Sequence, residues 1–100
     1  MTFDMFQEYI EEHILEGWKS DVELDVAMVT KNNGVQLRGL YIKSKEMNVS
    51  PAIYLDEYYS YYLKGESLEE IIRRIREEYE WKISRVEDYH FKLEKFEYVK

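Results

Sequence analysis

The sequence predicts a single α+β domain: an N-terminal helix, a three-stranded antiparallel meander, and two or three C-terminal helices packed on the sheet. Three observations lead to this fold class. Apolar residues recur every three or four positions near the N-terminus, they alternate with polar residues from residue 22, and a helix-capping signature opens a long periodic segment near residue 67. A length of 100 residues is typical of one domain, and a hydrophobic content of 45% is enough to build a core.

The first predicted helix covers residues 3–16. Thr2 stands where an N-cap is expected, and Gly17 follows the last periodic residue, where a glycine commonly ends a helix. The acidic residues of the segment cluster on the side opposite the apolar stripe. That stripe consists of Phe3, Phe6, Ile10 and Ile14.

Three strands are predicted in the middle of the chain. Residues 22–29 alternate between apolar and polar side chains, as in a half-buried strand, and the turn Lys31-Asn32-Asn33-Gly34 predicts a hairpin. The returning strand, residues 35–43, is apolar on both faces, which favours a central position in the sheet. Residues 49–55 form a short third strand, which Pro51 places at an edge because proline cannot donate to the ladder.

Two helices are predicted after the sheet. Asp56 is the expected N-cap of a short helix that runs to Leu63 and ends at Gly65. The segment Ser67-Leu68-Glu69-Glu70 is a capping box and opens the clearest helix of the chain. One unbroken helix to the C-terminus would be long for a domain of this size, so we expect a break between about Glu80 and Asp88.

An unbroken C-terminal helix would favour a homodimer instead, since its apolar stripe would extend beyond the domain. The residues that would form this dimer contact are Ile83, Val86 and Leu93.

Charge and composition exclude several classes of protein. The net charge of -7 arises entirely within residues 1–30, which hold eight acidic residues and one lysine. An acidic chain is not expected to bind nucleic acid directly, because phosphate binding requires a basic surface. The N-terminus lacks the basic pattern of a secretory signal, and no apolar run is long enough to span a membrane. With no cysteine, the chain fits a soluble protein of the reducing cytoplasm.

No catalytic, cofactor-binding or metal-ligating constellation stands out. His13 borders the apolar stripe of the first helix, where a partly buried, hydrogen-bonded histidine is the simplest interpretation. His90 and Glu94 could present two metal ligands from one helix face, but zinc requires three or four and no third is marked. The serines lie outside any nucleophile elbow, and the glycines are isolated. We therefore expect a non-catalytic protein without cofactors.

Tyrosine is the densest unusual feature. On a helix, most of the rings after residue 57 share one face, so two or three of them are expected to be core with hydroxyls that reach solvent. The alternative is a tyrosine-rich surface for a protein partner, since aromatic anchors dominate binding energy. The candidate partner-binding residues are Tyr54, Tyr58, Tyr59, Tyr61 and Tyr62.

The segments Lys31-Asn32-Asn33-Gly34, Ser50-Pro51-Ala52-Ile53-Tyr54-Leu55 and Gly65 to Ile71 together resemble the N-terminal segment of an uncharacterised bacterial domain-of-unknown-function family, family 5688, which is common in gut anaerobes. The resemblance covers about residues 22–79, and the run of tyrosines departs from it. It implies one domain and brings no activity, cofactor or catalytic residue. Members are usually longer, which leaves open that this chain is a truncated member.

Two functional hypotheses follow. The first is a non-catalytic protein-interaction module that uses the tyrosine-rich surface. The second is a small acidic inhibitor or nucleic-acid mimic that acts on a nucleic-acid-binding protein through carboxylates spaced like phosphates. The acidic face that would carry this mimicry consists of Asp4, Glu8, Glu11, Glu12, Glu16, Glu23 and Asp25.

Overall fold

A computed structural model describes residues 1–18, 22–44 and 50–88 of the chain. Its elements follow in the order helix, three strands, two helices, which confirms the predicted α+β class. These elements are α1 (Phe3–His13), β1 (Val22–Thr30), β2 (Gln36–Ser44), β3 (Ala52–Tyr54), α2 (Leu55–Leu63) and α3 (Leu68–Asp88).

Two of the three helix-start signals of the sequence, Thr2 and Ser67, are confirmed. The Thr2 hydroxyl accepts a hydrogen bond from the Met5 N–H at 3.2 Å, and the Ser67 hydroxyl accepts one from the Glu70 N–H at 3.2 Å. Each bond satisfies an amide that lacks a partner within its helix. Helix α1 is shorter than predicted, since it ends at His13 and a turn leads to Gly17, whose φ of 78° suits glycine.

The three strands form one antiparallel meander in the order β1-β2-β3, as predicted. The hairpin between β1 and β2 turns at Gly34, which has a φ of 84°. There the Gly34 N–H donates to the Lys31 carbonyl at 2.9 Å, and the Lys31 N–H donates to the Val35 carbonyl at 2.8 Å. Strand β2 is central, and the short β3 lies at the edge directly after Pro51, both as the sequence indicated.

The core lies between the helices and one face of the sheet. Strands β2 and β3 contribute Leu40, Ile42 and Ile53, all fully buried. Val22, Leu24 and Val26 of β1 are half-buried at the margin of this core. The helical side of the core consists of Phe6, Ile10, Ile14, Leu55, Tyr58, Ile71, Ile72, Ile75 and Tyr79.

The predicted break between Glu80 and Asp88 is wrong, because α3 runs unbroken from Leu68 to Asp88. Its 21 residues extend about 32 Å at 1.5 Å per residue. Tyr79 is buried and Ile83 packs against the core, so the apolar stripe continues through the expected break. An ion pair between Glu78 and Lys82, 2.9 Å long, also stabilises this turn.

The prediction that Asp56 caps α2 is also wrong. Helix α2 begins at Leu55, directly after β3, and its N-cap residue Tyr54 makes no side-chain capping bond. Asp56 therefore lies in the first helical turn, where its carboxylate reaches back to the sheet. Its Oδ1 accepts a hydrogen bond from the Arg38 N–H at 2.9 Å. This backbone N–H of β2 lies beyond the end of β3, so Asp56 replaces the strand partner it would otherwise lack.

Candidate interaction surface

One face of the sheet is turned away from the helices. Because residues paired across strands share a face, the register gives three adjacent rows on it, and the row of Tyr41 and Ala52 ends at Asp25 on β1. The apolar residues of these rows form one surface. We call this surface the open face, and it consists of Ala27, Val29, Leu37, Gly39, Tyr41, Ala52 and Tyr54. Among the residues that the structure describes, the hydrophobic core and the side chains packed against it include none of these seven.

The centre of the open face is smooth because Gly39 has no side chain. A Cβ atom at Gly39 would lie 3.2 Å from Cε2 of Tyr41 and 3.2 Å from Cγ2 of Val29, so both side chains lean over the glycine. At the hairpin end, the Lys31 ammonium lies 5.3 Å from the centroid of the Tyr54 ring, within range of a cation–π contact. Two half-buried tyrosine rings therefore lie on this apolar surface.

The opposite end of the same face is charged. Glu23 is exposed and pairs in register with Lys43. The Lys43 ammonium contacts the Asp25 carboxylate at 3.3 Å. Both groups are about half exposed, so this pair adds little stability. Because Asp25 pairs in register with Tyr41, this ion pair borders the apolar residues directly.

Of the five tyrosines that the sequence singled out, Tyr54 lies on the open face and the other four belong to α2. Tyr58 is buried at 6% exposure, and its hydroxyl donates to the Glu78 carboxylate. Burial raises the pKa of the Tyr58 hydroxyl, and the bond to Glu78 raises it further. Tyr58 therefore connects α2 to α3 and is withdrawn from the surface.

The remaining α2 tyrosines also make contacts within the chain. Tyr59 stacks on Phe3 with ring centroids 4.7 Å apart, and its hydroxyl donates to the Met1 carbonyl at 2.8 Å. Tyr62 packs against Phe6 at 5.7 Å. Tyr61 is half-buried, with its hydroxyl on Glu57 at 3.2 Å. Tyr59 and Tyr62 therefore join α2 to the N-terminal segment, and the Arg74 guanidinium of α3 lies 5.3 Å from the centroid of the Tyr61 ring.

Sequence reasoning missed Tyr41 as a surface residue. The sequence did indicate this position, because the second strand carries apolar residues on both of its faces. The helices account for one of these faces, and Tyr41 with Leu37 lies on the other.

The predicted acidic face divides into two groups. The acids of α1 lie on the helical side of the sheet, where Asp4 pairs with Arg38 at 2.7 Å and Glu16 with His13 at 2.6 Å. Glu23 and Asp25 lie on the side of the open face. The hypothesis of a nucleic-acid mimic gains no support from this division and stays a prediction.

A groove of about 600 Å³ separates the end of α1 from α3. Arg76 lines it and donates to the carbonyls of Ile14 at 3.0 Å, His13 at 3.1 Å and Glu16 at 2.5 Å. His13 packs against Tyr9, with ring centroids 4.2 Å apart. These polar groups hold the C-terminal end of α1 against α3.

Within the described part of the chain, no group of three or more histidine, aspartate or glutamate side chains could hold a metal ion. His90 and Glu94, the pair considered as metal ligands from the sequence, lie outside the described residues.

Comparison with known proteins identifies one family. The family model described as "Family of unknown function (DUF5688)" matches residues 3–100. The chain belongs to DUF5688. This membership confirms the resemblance seen in the sequence and carries no activity with it. No curated protein and no solved structure matches the chain.

Two expectations for this DUF5688 chain concern its helices. Across the described residues, no helix combines the length and the apolar character that crossing a membrane requires. Ile83, one of the three predicted dimer contacts, packs against the core of its own chain. The side chains of Val86 and Leu93 lie outside the described part, so the helical dimer stays a prediction.

Proposed function

We propose that this chain is a non-catalytic protein-interaction module, and that a partner protein covers its open face. The observation that carries the proposal is an apolar sheet face with two half-buried tyrosines, none of whose residues belongs to the described core or to the side chains packed against it. Antiparallel sheets commonly leave one face in water, but such a face is usually polar. Here seven neighbouring positions are apolar, and Asp25 borders them beside Tyr41.

The size of the open face indicates the kind of partner. At about 6.8 Å between same-face residues of a strand and about 4.8 Å between strands, its seven residues cover roughly 230 Å². This is smaller than the largest apolar patch of a typical monomer. Covering it with an equal area of partner would bury roughly 460 Å² in total, well below a standard interface. We therefore expect a transient partner with a small apolar surface, most of whose binding energy comes from contacts with the two tyrosine rings.

The aromatic residues give the proposed site its chemistry. Tyrosine offers a large apolar area with few rotatable bonds, so little conformational entropy is lost on binding. Tyr41 and Tyr54 lie diagonally across β2 and β3, and the partner would pack its apolar side chains on both rings. A chain without cysteine fits the reducing cytoplasm, where we propose that the module acts.

The test uses linear peptides selected on the wild-type protein from a random display library. Their dissociation constants are measured by fluorescence anisotropy for the wild type and for Tyr41→Ser combined with Tyr54→Ser. We expect the double variant to weaken binding at least tenfold, because both aromatic anchors are removed. Thermal unfolding of each variant verifies that it is folded.

Leu63→Ser is the matched control, since Leu63 is 65% exposed on α2, on the helical side of the sheet. This variant should bind the selected peptides as the wild type does. The proposal is wrong if the tyrosine variant keeps full affinity, or if Leu63→Ser reduces affinity as strongly.

A further inference from the structure

The two edges of the sheet differ in their coverage. At the β3 edge, the Lys82 ammonium of α3 donates a hydrogen bond to the Ala52 carbonyl at 2.6 Å. Beyond the end of β3, the Asp56 carboxylate accepts a hydrogen bond from the Arg38 N–H. At the other edge, β1 pairs with β2 alone among the described residues, and its nine residues present a second, unpaired side. Long unpaired edges are sites where another chain can add a strand.

The hydrogen bonds of the hairpin show which backbone groups face outward. Lys31 bonds to Val35, and bonded pairs alternate along an antiparallel ladder, so Val29 and Ala27 bond toward β2. The N–H and carbonyl groups of Val26 and Met28 then point away from the sheet. The Arg38 N–H donates to Asp56 on the β3 side of β2, as this alternation of bonded and outward-facing residues requires.

The side chains of β1 define what an added strand would contact. Toward the helices, Val22, Leu24 and Val26 are half-buried, so an apolar neighbour would complete their coverage. Toward the open face, β1 carries Glu23 and Asp25, which are exposed. Side chains on an added strand would lie about 5 Å from these carboxylates, a distance at which opposite charges attract and like charges repel.

We propose that β1 is the docking site for an extended segment of a partner protein, with apolar side chains toward the helices and lysine or arginine facing Glu23 and Asp25. This inference rests on the proposed function and names the chemistry of the partner. The backbone ladder supplies affinity, while the alternating side chains supply specificity. A second copy of this chain fits less well, because its own β1 would bring two more carboxylates to the same edge.

The probes are two dye-labelled peptides of eight residues, one alternating valine with lysine and the other alternating valine with glutamate. Their alternation presents the same pattern in parallel and antiparallel pairing. By fluorescence anisotropy, we expect the lysine peptide to bind wild-type protein at least fivefold more tightly than the glutamate peptide. In the variant E23K/D25K the preference should reverse, since both cross-strand charges change sign.

Backbone pairing requires a second test, because an acidic protein attracts any basic peptide. Met28→Pro removes an outward N–H at a side chain that is 57% exposed, and Met28→Ala removes the same side chain while keeping the N–H. We expect the dissociation constant of the lysine peptide to be at least tenfold higher for Met28→Pro than for Met28→Ala. Hydrogen exchange of the wild type should show protection of the Val26 and Met28 amides when the peptide is bound, which does not depend on the folding of either variant.

Each outcome decides between the two proposals. Equal affinity of Met28→Pro and Met28→Ala, unprotected amides, or an unchanged peptide preference in E23K/D25K would overturn docking at β1. If library-selected peptides still lose affinity in the variant with Tyr41→Ser and Tyr54→Ser, the interaction module stands without this edge. A dimer of the wild-type chain whose exchange protection lies on the same amides would replace the partner segment with a second copy.

Discussion

Arg76 connects α3 to the end of α1, and replacing it tests how the N-terminal helix is held. Its guanidinium donates three hydrogen bonds to carbonyls at residues 13, 14 and 16, which belong to the last turn of α1 and the turn after it. The His13 carbonyl also accepts the Glu16 N–H at 3.2 Å, while Ile14 and Glu16 lie beyond the last residue of the helix. A positive charge at this end interacts favourably with the helix dipole. In Arg76→Met the apolar stem remains while the donors and the charge are lost.

The expected cost follows from these contacts. A hydrogen bond from a charged donor contributes about 1.5–3 kcal/mol, but Arg76 is only half-buried and the freed carbonyls can bond to water. Allowing about 0.5–1 kcal/mol for each of three bonds, we expect the free energy of unfolding to fall by about 1.5–3 kcal/mol. For a domain of this size, the melting temperature should fall by roughly 6–24 °C.

Urea unfolding measures this loss, and hydrogen exchange of the α1 amides shows whether the end of α1 opens first. Arg73→Met is the matched control, because Arg73 lies on the same helix and pairs with exposed carboxylates of Glu70 and Glu77. Surface pairs of this kind contribute about 1 kcal/mol or less. Equal losses in the two variants, or a loss below about 1 kcal/mol in Arg76→Met, would refute the assigned role of Arg76.

Three further outcomes are expected. Phe6→Ala should lower the free energy of unfolding by about 3–5 kcal/mol in urea, because it removes a fully buried ring between α1 and α2; a loss below 1.5 kcal/mol would show that the site collapses easily. Ser67→Ala should cost about 1 kcal/mol by removing the cap of α3, and an unchanged urea midpoint would contradict this. The folded protein raises the pKa of the Tyr58 hydroxyl, so the stabilisation from the neutral hydroxyl is complete below the pKa of an unfolded tyrosine and is lost as the pH rises above it. In Tyr58→Phe, the free energy of unfolding should therefore fall less steeply above about pH 10 than in the wild type. Parallel curves for the two proteins would exclude Tyr58 as a source of this pH dependence.

Features that depend on neighbouring residues were predictable from the sequence. The caps at Thr2 and Ser67 join residues three positions apart, and the Asn-Gly turn closes its own hairpin. The central position of β2 followed from its apolar residues on both faces. Each of these signals acts within a few residues, so the chain beyond them does not need to be known.

Features that depend on distant contacts were not predictable. Asp56 has the residue type and position of an N-cap, but its partner is the Arg38 N–H, 18 residues earlier. Arg76 donates to carbonyls 60 to 63 residues away in the sequence. The continuous α3 depends on Tyr79 and Ile83 reaching the core, which periodicity alone could not show. The candidate site shares this limit, since separating Tyr54 and Tyr41 from the four tyrosines of α2 requires the positions of the helices.

The residues of β2 and β1 place the two proposed docking regions, the open face and the β1 edge, next to each other. Strand β2 is apolar on both faces, a pattern typical of strands covered on both sides, and the described helices cover one of them. Strand β1 is apolar toward the helices and carries carboxylates on the other side, except at Ala27 and Val29 near the hairpin. A segment paired with β1 would run beside Ala27 and Val29, and the chain that continues it would reach Tyr41 and Tyr54 within about 10–15 Å at the spacing of neighbouring strands. One partner with an extended basic segment and a short apolar continuation would therefore fit both the β1 edge and the β2 face that the described residues leave without a neighbour.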